Sequence, residues 1–177
     1  ATGGNNFLHF KLVSEKLLKK RKNQNHEFAF VSFDVNKFRV FNEIHGHEQG
    51  DELLEKIYLY LKKNLRKQEP FARYAADQFS VILSIDTQAS ALSRVEQILK
   101  ELSNIYPNEN LMYSAGIYTV LDKQMSIERM NNFAIFAKDT LKDNQTCNIS
   151  TFDSKMRDQL VKEHELEELM QKALDRH

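Results

Sequence analysis

Phe33-Asp34-Val35-Asn36-Lys37-Phe38, running on to Gly46-His47-Glu48-Gln49-Gly50-Asp51, is the stretch that decides the fold. The residues from Glu27 to Val35 are rich in Phe and Val and too few for an ordinary helix, so they predict a strand. That strand delivers Asp34 to its C-terminal end, the edge where ligands gather in open α/β sheets. Asn36 is placed to cap a short helix through Ile44, and Gly46 breaks it. A longer helix is expected from about Glu48 to Arg66, with Leu54, Ile57, Leu61 and Leu65 inward. Asp51 falls in its first turns, where the helix dipole favours a negative side chain. A second stretch, Arg73-Tyr74-Ala75-Ala76-Asp77-Gln78-Phe79, answers the first. It reads as the tip of a hairpin between strands at 71–75 and 78–85, although the favoured Asn-Gly or Asp-Gly turn is absent. If the two runs are neighbours in one sheet, Asp34 and Asp77 can share a metal ion. Read alone, Asp34 serves equally as a helix cap and Asp77 as a turn residue.

The flanking sequence supplies the remaining layers. A helix with Phe7, Phe10, Leu17 and Leu18 on one face precedes the first strand. Thr87 caps a helix with Leu92, Val95, Ile98, Leu102 and Ile105 inward. A strand follows from Leu111 to Val120. Ser126 then caps a helix that buries Ile127, Met130, Ala134, Ala137 and Leu141, and Cys147 to Phe152 forms a final short strand. Mixed strands and helices around one hairpin predict an α+β fold, with a central, largely antiparallel five-stranded sheet flanked by helices. Residues 153–177 read as one last, highly charged helix. Its narrow stripe of Leu166, Leu169, Met170 and Leu174 suits its own domain, a neighbouring domain or a partner helix.

Composition sets the outer bounds. The 177 residues carry 25 Lys and Arg against 25 Asp and Glu, so no whole-chain charge draws the protein to nucleic acid or a membrane surface. An apolar fraction of 41% supports a real core. The single cysteine, Cys147, excludes an internal disulfide, and no His motif accompanies it as a nucleophile. No apolar run reaches the length of a membrane span and no signal peptide is visible, so the expected location is cytoplasmic.

Several short motifs in register now resemble one family. Thr2-Gly3, Asn6 and Phe10 are similar to T-G-x-x-N-R-x-x-x-F, with Phe7 where Arg is usual. Phe33-Asp34-Val35-Asn36-Lys37-Phe38-Arg39 resembles F-D-I-D-x-F-K. Asn42, Gly46-His47 and Gly50-Asp51 match the spacing of N-D-x-x-G-H-x-x-G-D. Ala75-Ala76-Asp77-Gln78-Phe79 falls where G-G-[DE]-E-F belongs. Over about residues 2 to 152 the chain thus resembles the GGDEF domain of bacterial diguanylate cyclases, which condense two GTP into cyclic di-GMP. The last helix is similar to the connector between a GGDEF domain and an EAL phosphodiesterase domain. The division expected is a degenerate GGDEF domain at 1–152 and a connector at 153–177, excised from a GGDEF–EAL protein.

The resemblance implies a site and also its decay. Asp34, the carbonyl of Val35, and Asp77 stand at the metal positions, and hard oxygen ligands suit Mg²⁺. Asn42 and Asp51 stand at the guanine-reading positions, and Phe38 and Arg39 belong to the same nucleotide pocket. A late A-K-x-x-G-R-N pattern, whose Lys and Arg touch phosphates, aligns with the segment in two ways. One puts Asp139 in place of the Lys; the other restores Lys138 and leaves Lys142 for the Arg. Residues four apart on a helix share a face, so the two lysines make either one basic patch or a solvated pair. Against these stand Ala75 and Ala76 for two glycines, and Gln78 for a Glu that an amide cannot replace as a base. Asn36 replaces a second Asp. Arg66 and Glu69 occupy the place of an R-x-x-D product site for cyclic di-GMP, with an arm longer than the usual Asp. The function expected is a domain inactive as a cyclase that binds GTP with Mg²⁺, forms a homodimer and regulates an EAL domain in cis. A weakly active cyclase and a nucleotide-free structural module are the alternatives.

Overall fold

The computed structural model of the chain describes residues 6–141 and 148–174, so Thr2, Gly3, Lys142 and Cys147 lie outside the described residues. Asn6 caps the first helix, α1 (Phe7–Lys19), by accepting from the His9 amide. A short turn of 3-10 helix leads into β1 (Glu27–Val35), whose bounds are those expected from the sequence. Two helices follow, α2 (Phe38–His45) and α3 (His47–Asn64). The hairpin is β2 (Phe71–Ala75) and β3 (Gln78–Ile85). Then come α4 (Gln88–Ser103), β4 (Tyr113–Thr119), α5 (Ile127–Asp139), β5 (Ile149–Thr151) and α6 (Ser154–Leu174).

The five strands form one sheet in the order β2-β3-β1-β4-β5. All neighbours are antiparallel except β4 and β5, which run parallel. The architecture is therefore the α+β sandwich expected from the sequence. Nearly every residue of β1 is buried, because helices cover both faces of the sheet. Ala29, Val31 and Phe33 pack with Leu53, Leu54, Ile57, Val95 and Leu99 of α3 and α4. Phe28 and Phe30 pack with Phe10, Leu18, Met130 and Ala134 of α1 and α5. This placement leaves the C-terminal end of β1 open between α2, the hairpin tip and the end of α5.

Two expectations change, and a third narrows. Asn36 does not cap α2. Lys37 takes that position in the left-handed region at φ 57°, without a side-chain cap. The chain must turn sharply off the strand there, and Asn36 stays with the sheet. Its amide donates to Met112 O at 2.8 Å, and its carboxamide oxygen accepts from the Ser114 hydroxyl at 2.6 Å. On α4 the inward set is Ala91, Val95, Leu99 and Leu102, and Leu92 is 39% exposed. Val95 and Leu102 are inward as expected, Ala91 and Leu99 take the places of Leu92 and Ile98, and Ile98 and Ile105 are half-buried against the same core. On α6, Met156 and Leu160 pack against the core, whereas Leu166 and Met170 are exposed. The side chains of Leu169 and Leu174 lie outside those described.

Candidate functional site

Register brings the two acidic stretches together. Phe33 of β1 pairs with Phe79 of β3, and their rings stack at 5.4 Å. The hairpin tip therefore runs beside the end of β1, and Asp77 Oδ2 accepts from the Val35 amide at 3.1 Å. Phe79 is fully buried and serves the core. Burial pushes the Asp77 carboxyl above its usual range, and the charge of Asp34 adds to the rise. The Val35 amide and the Lys138 charge oppose that rise.

Lys138 is the third member. Its ammonium donates to Asp34 Oδ2 across 104 positions of sequence. It is only 5% exposed, which rules out the reading of a solvated lysine pair. The seat for this lysine is Gly116 on β4. A Cβ there would lie 1.8 Å from the Ala134 carbonyl oxygen and 2.6 Å from the Lys138 amide nitrogen. Glycine lets the backbone of α5 lie directly on the sheet. Asp34 pairs with Ser114 and Ser32 with Gly116, so Asp34 and Gly116 share the face that α5 covers.

The hairpin tip carries the cost of its alanines. Ala76 sits at φ 45°, a conformation that costs an L-residue with a Cβ roughly 1–2 kcal/mol. Arg73 holds the turn by donating from Nε to the Ala76 carbonyl. Ala75 and Ala76 are exposed and Gln78 is half-buried. Tyr74 meets Phe7 edge-on at 4.7 Å, so the start of α1 leans on the same hairpin.

The remaining expected residues divide. Asn42 packs its carboxamide oxygen onto Gly50, where a Cβ would come within 1.8 Å, and that buried oxygen has no protein partner among the described residues. This contact explains the glycine before Asp51, which is exposed in the second turn of α3. Phe38 packs against the core beside Phe41. Arg39 points away, with a side chain 92% exposed and paired to Glu43 at 3.1 Å. A cleft of about 790 Å³ opens beside Asp34 and Lys138, lined on α2 by Val40, Phe41, Ile44 and His45. Asn42 lies on the other side of that helix. The cleft and the pair formed by His45 and Glu109 at 2.9 Å had no signal in the sequence.

Glu69 has a different fate from the one its motif suggested. It is 4% exposed. One oxygen accepts from the Arg66 amide at 2.8 Å and from Arg94 at 2.6 Å. The other accepts from the Ser84 amide at 3.0 Å and also from Arg94. Its acceptor positions are filled from within, leaving none for a dinucleotide.

Magnesium takes oxygen ligands, keeps several waters and is usually held by one or two carboxylates plus substrate phosphates. Asp34 and Asp77 fit that description for one ion carried in by a phosphate group. They do not make a self-sufficient cage, and no group of three or more His, Cys, Asp or Glu residues among the described residues can hold a metal.

An α+β sheet with an acidic strand end and a hairpin beside it defines the class of domain. The chain belongs to the GGDEF domain family: the family model described as "Diguanylate cyclase, GGDEF domain" matches residues 1–148. Among curated relatives, the probable diguanylate cyclase DgcJ of Escherichia coli K12 is 29% identical over 106 residues, covering 60% of this chain and 21% of that protein. MucR of Pseudomonas aeruginosa, a bifunctional diguanylate cyclase/cyclic di-GMP phosphodiesterase, is 26% identical over 166 residues, 89% of this chain and 24% of its own length. The chain thus spans between about a fifth and a third of the length of the first curated relatives it matches. The solved GGDEF domain of PA1120 (YfiN or TpbB) from P. aeruginosa superposes with a TM-score of 0.74 at 19% identity, covering 86% of this chain and 99% of that one. That of DgcB from Caulobacter crescentus, in complex with c-di-GMP, gives 0.71 at 17%, covering 84% and 89%. These likenesses establish the fold. Among the described residues, no helix is long and apolar enough to cross a membrane.

Proposed function

We propose that this chain is a degenerate GGDEF domain in cyclic di-GMP signalling. It binds GTP with one magnesium ion, makes no appreciable cyclic di-GMP, and regulates or dimerises an attached EAL phosphodiesterase. The observation that carries this reading is the composition of the strand-end site. Asp34, Asp77 and Lys138 converge there, a set suited to a metal–triphosphate, beside a hairpin that holds Ala76 at φ 45° and offers Gln78 in place of a base. Condensation needs a deprotonated hydroxyl and two ions to neutralise developing charge. Two carboxylates and an amide supply too little charge for that, while still serving one ion. Asp51, exposed next to Gly50, offers acceptors for the N1 and N2 hydrogens of guanine, with the Asn42 amide toward the other edge. The match to bifunctional MucR over 166 residues supports an EAL partner in the same polypeptide, reached through α6, and a cytoplasmic setting follows from that role.

Titration calorimetry with GTP and Mg²⁺ tests the binding half. The expected result is saturable heat that Asp34→Ala abolishes, and no heat at millimolar nucleotide removes the ligand. Overnight incubation with GTP followed by chromatography tests the catalytic half. Cyclic di-GMP that depends on Asp34 would make the chain a weak cyclase instead. The internal neutralisation of Asp34 by Lys138 favours one further reading, a nucleotide-free structural module. Its mark is a dimer in sedimentation whose melting temperature GTP does not move.

A further inference from the structure

The strand-end site already contains a cation of its own. Lys138 is 5% exposed and bonded to Asp34, and Asp77 lies beside them at the Val35 amide. Lysine is seldom this buried without a partner. Its backbone has no room to shift toward the sheet, because Gly116 seats α5 with no space for even a Cβ. The torsions of the lysine stem, rather than movement of α5 toward the sheet, are what can lift the ammonium off Asp34.

Count the charges with both carboxylates ionised. Asp34, Asp77 and Lys138 sum to one negative charge. A bare divalent ion at Asp34 must either expel the ammonium from a buried position or sit against it, and two like charges at such a distance repel strongly away from bulk water. A metal that arrives on a triphosphate changes this balance. The phosphates bring more negative charge than the ion neutralises, and they give the displaced ammonium a new acceptor without moving α5.

We infer that Lys138 is a placeholder cation: it holds Asp34 against a bare divalent ion and gives it up only to an ion that arrives bound to a polyphosphate. The inference rests on the reading of Asp34 and Asp77 as metal ligands, and it makes the coupling of metal to nucleotide a property of one buried lysine. It also accounts for a metal position with so few protein ligands, since the site is built to refuse the ion alone.

The test uses Mn²⁺ as the divalent probe and inorganic triphosphate as the polyphosphate. Free Mn²⁺ is read by electron paramagnetic resonance in the presence of the whole chain. Lys138→Met is expected to bind Mn²⁺ alone about tenfold tighter than the unmodified chain, the scale on which a neighbouring charge shifts a carboxylate. Triphosphate is expected to raise Mn²⁺ affinity about tenfold in the unmodified chain and clearly less in the variant. Lys138→Gln replaces the Met variant if the latter no longer melts cooperatively. Unchanged or weaker Mn²⁺ binding by a cooperatively folded variant overturns the inference, as does the absence of Mn²⁺ binding by both chains. GTP with Mg²⁺ failing on the unmodified chain, while Mn²⁺ still gains in the variant, removes the nucleotide reading and leaves the placeholder. The reverse pattern removes the placeholder and leaves the nucleotide.

Discussion

Glu69 and Asp34 are both carboxylates held against the same sheet by a basic side chain, and they are wired in opposite ways. Glu69 receives two backbone amides and the fork of Arg94, and its side chain is 1% exposed. Asp34 receives the point charge of Lys138, keeps 27% of its side chain exposed and faces a second carboxylate. A planar guanidinium filling both oxygens makes a closed, structural joint. A flexible ammonium on one oxygen leaves lone pairs, solvent and like-charge repulsion, which are the properties of a site awaiting a ligand. Both carboxylates carried motif resemblances in the sequence. Their partners tell them apart.

The comparison can be broken by mutation. The largest effect is expected at the closed joint. Glu69→Gln leaves the half-buried Arg94 without its counter-charge at a carboxylate site that is itself buried, and should cost about 3 kcal/mol, lowering the calorimetric Tm by roughly 10 °C. A drop of only a degree or two would mean that the joint is no more structural than the open site. Next is Gly116→Ala, which pushes α5 off β4 and should cost about 2 kcal/mol in urea unfolding. The open site should respond with the opposite sign. Ala76→Gly relieves the left-handed strain and, after the greater freedom of glycine in the unfolded chain, should gain roughly 0.5–1 kcal/mol as a higher denaturant midpoint at unchanged slope. Smallest is Asp77→Asn, which removes the charge that burial and Asp34 disfavour while keeping an acceptor for the Val35 amide. Discounted for the solvent Asp77 still meets, the gain should be about 0.5 kcal/mol at neutral pH. The sign follows from the direction of the shift. A carboxyl raised in the folded state takes up its proton before the unfolded one does. The unmodified chain therefore recovers stability on acidification, and the difference between the two proteins closes as the pH falls toward the ordinary carboxylate range. Thermal melts of the pair across that range check it.

Much of the fold was legible because it rests on short-range patterns. The Phe and Val run gave β1 residue for residue, and the apolar spacing named Ile127, Met130, Ala134 and Ala137 of α5 and Leu141 just beyond it, all buried. Two misreadings came from local chemistry yielding to the sheet. Asn36 is a good capping residue, and the Ser114 hydroxyl and Met112 carbonyl took it instead. Leu92 is the larger side chain, and Ala91 is the one that fits under the start of α4. The meeting of Asp34 and Asp77 was legible, because strand pairing sets the hairpin tip beside the end of β1. The Lys138–Asp34 bond spans 104 positions, and the motif resemblance named Lys138 for a phosphate, not for Asp34. Arg94 and Glu69 are 25 apart on different elements, so their joint was equally hidden behind the motif at Arg66.

Gly116 touches neither carboxylate, yet the space it leaves empty sets how far the lysine can reach. It acts as a gauge between helix and sheet, one atom thick. Among relatives that drift apart in sequence, a methyl group gained at this position would rewrite the charge balance of the strand end while every acidic residue stayed in place. A comparison of motifs alone would score such a chain as intact.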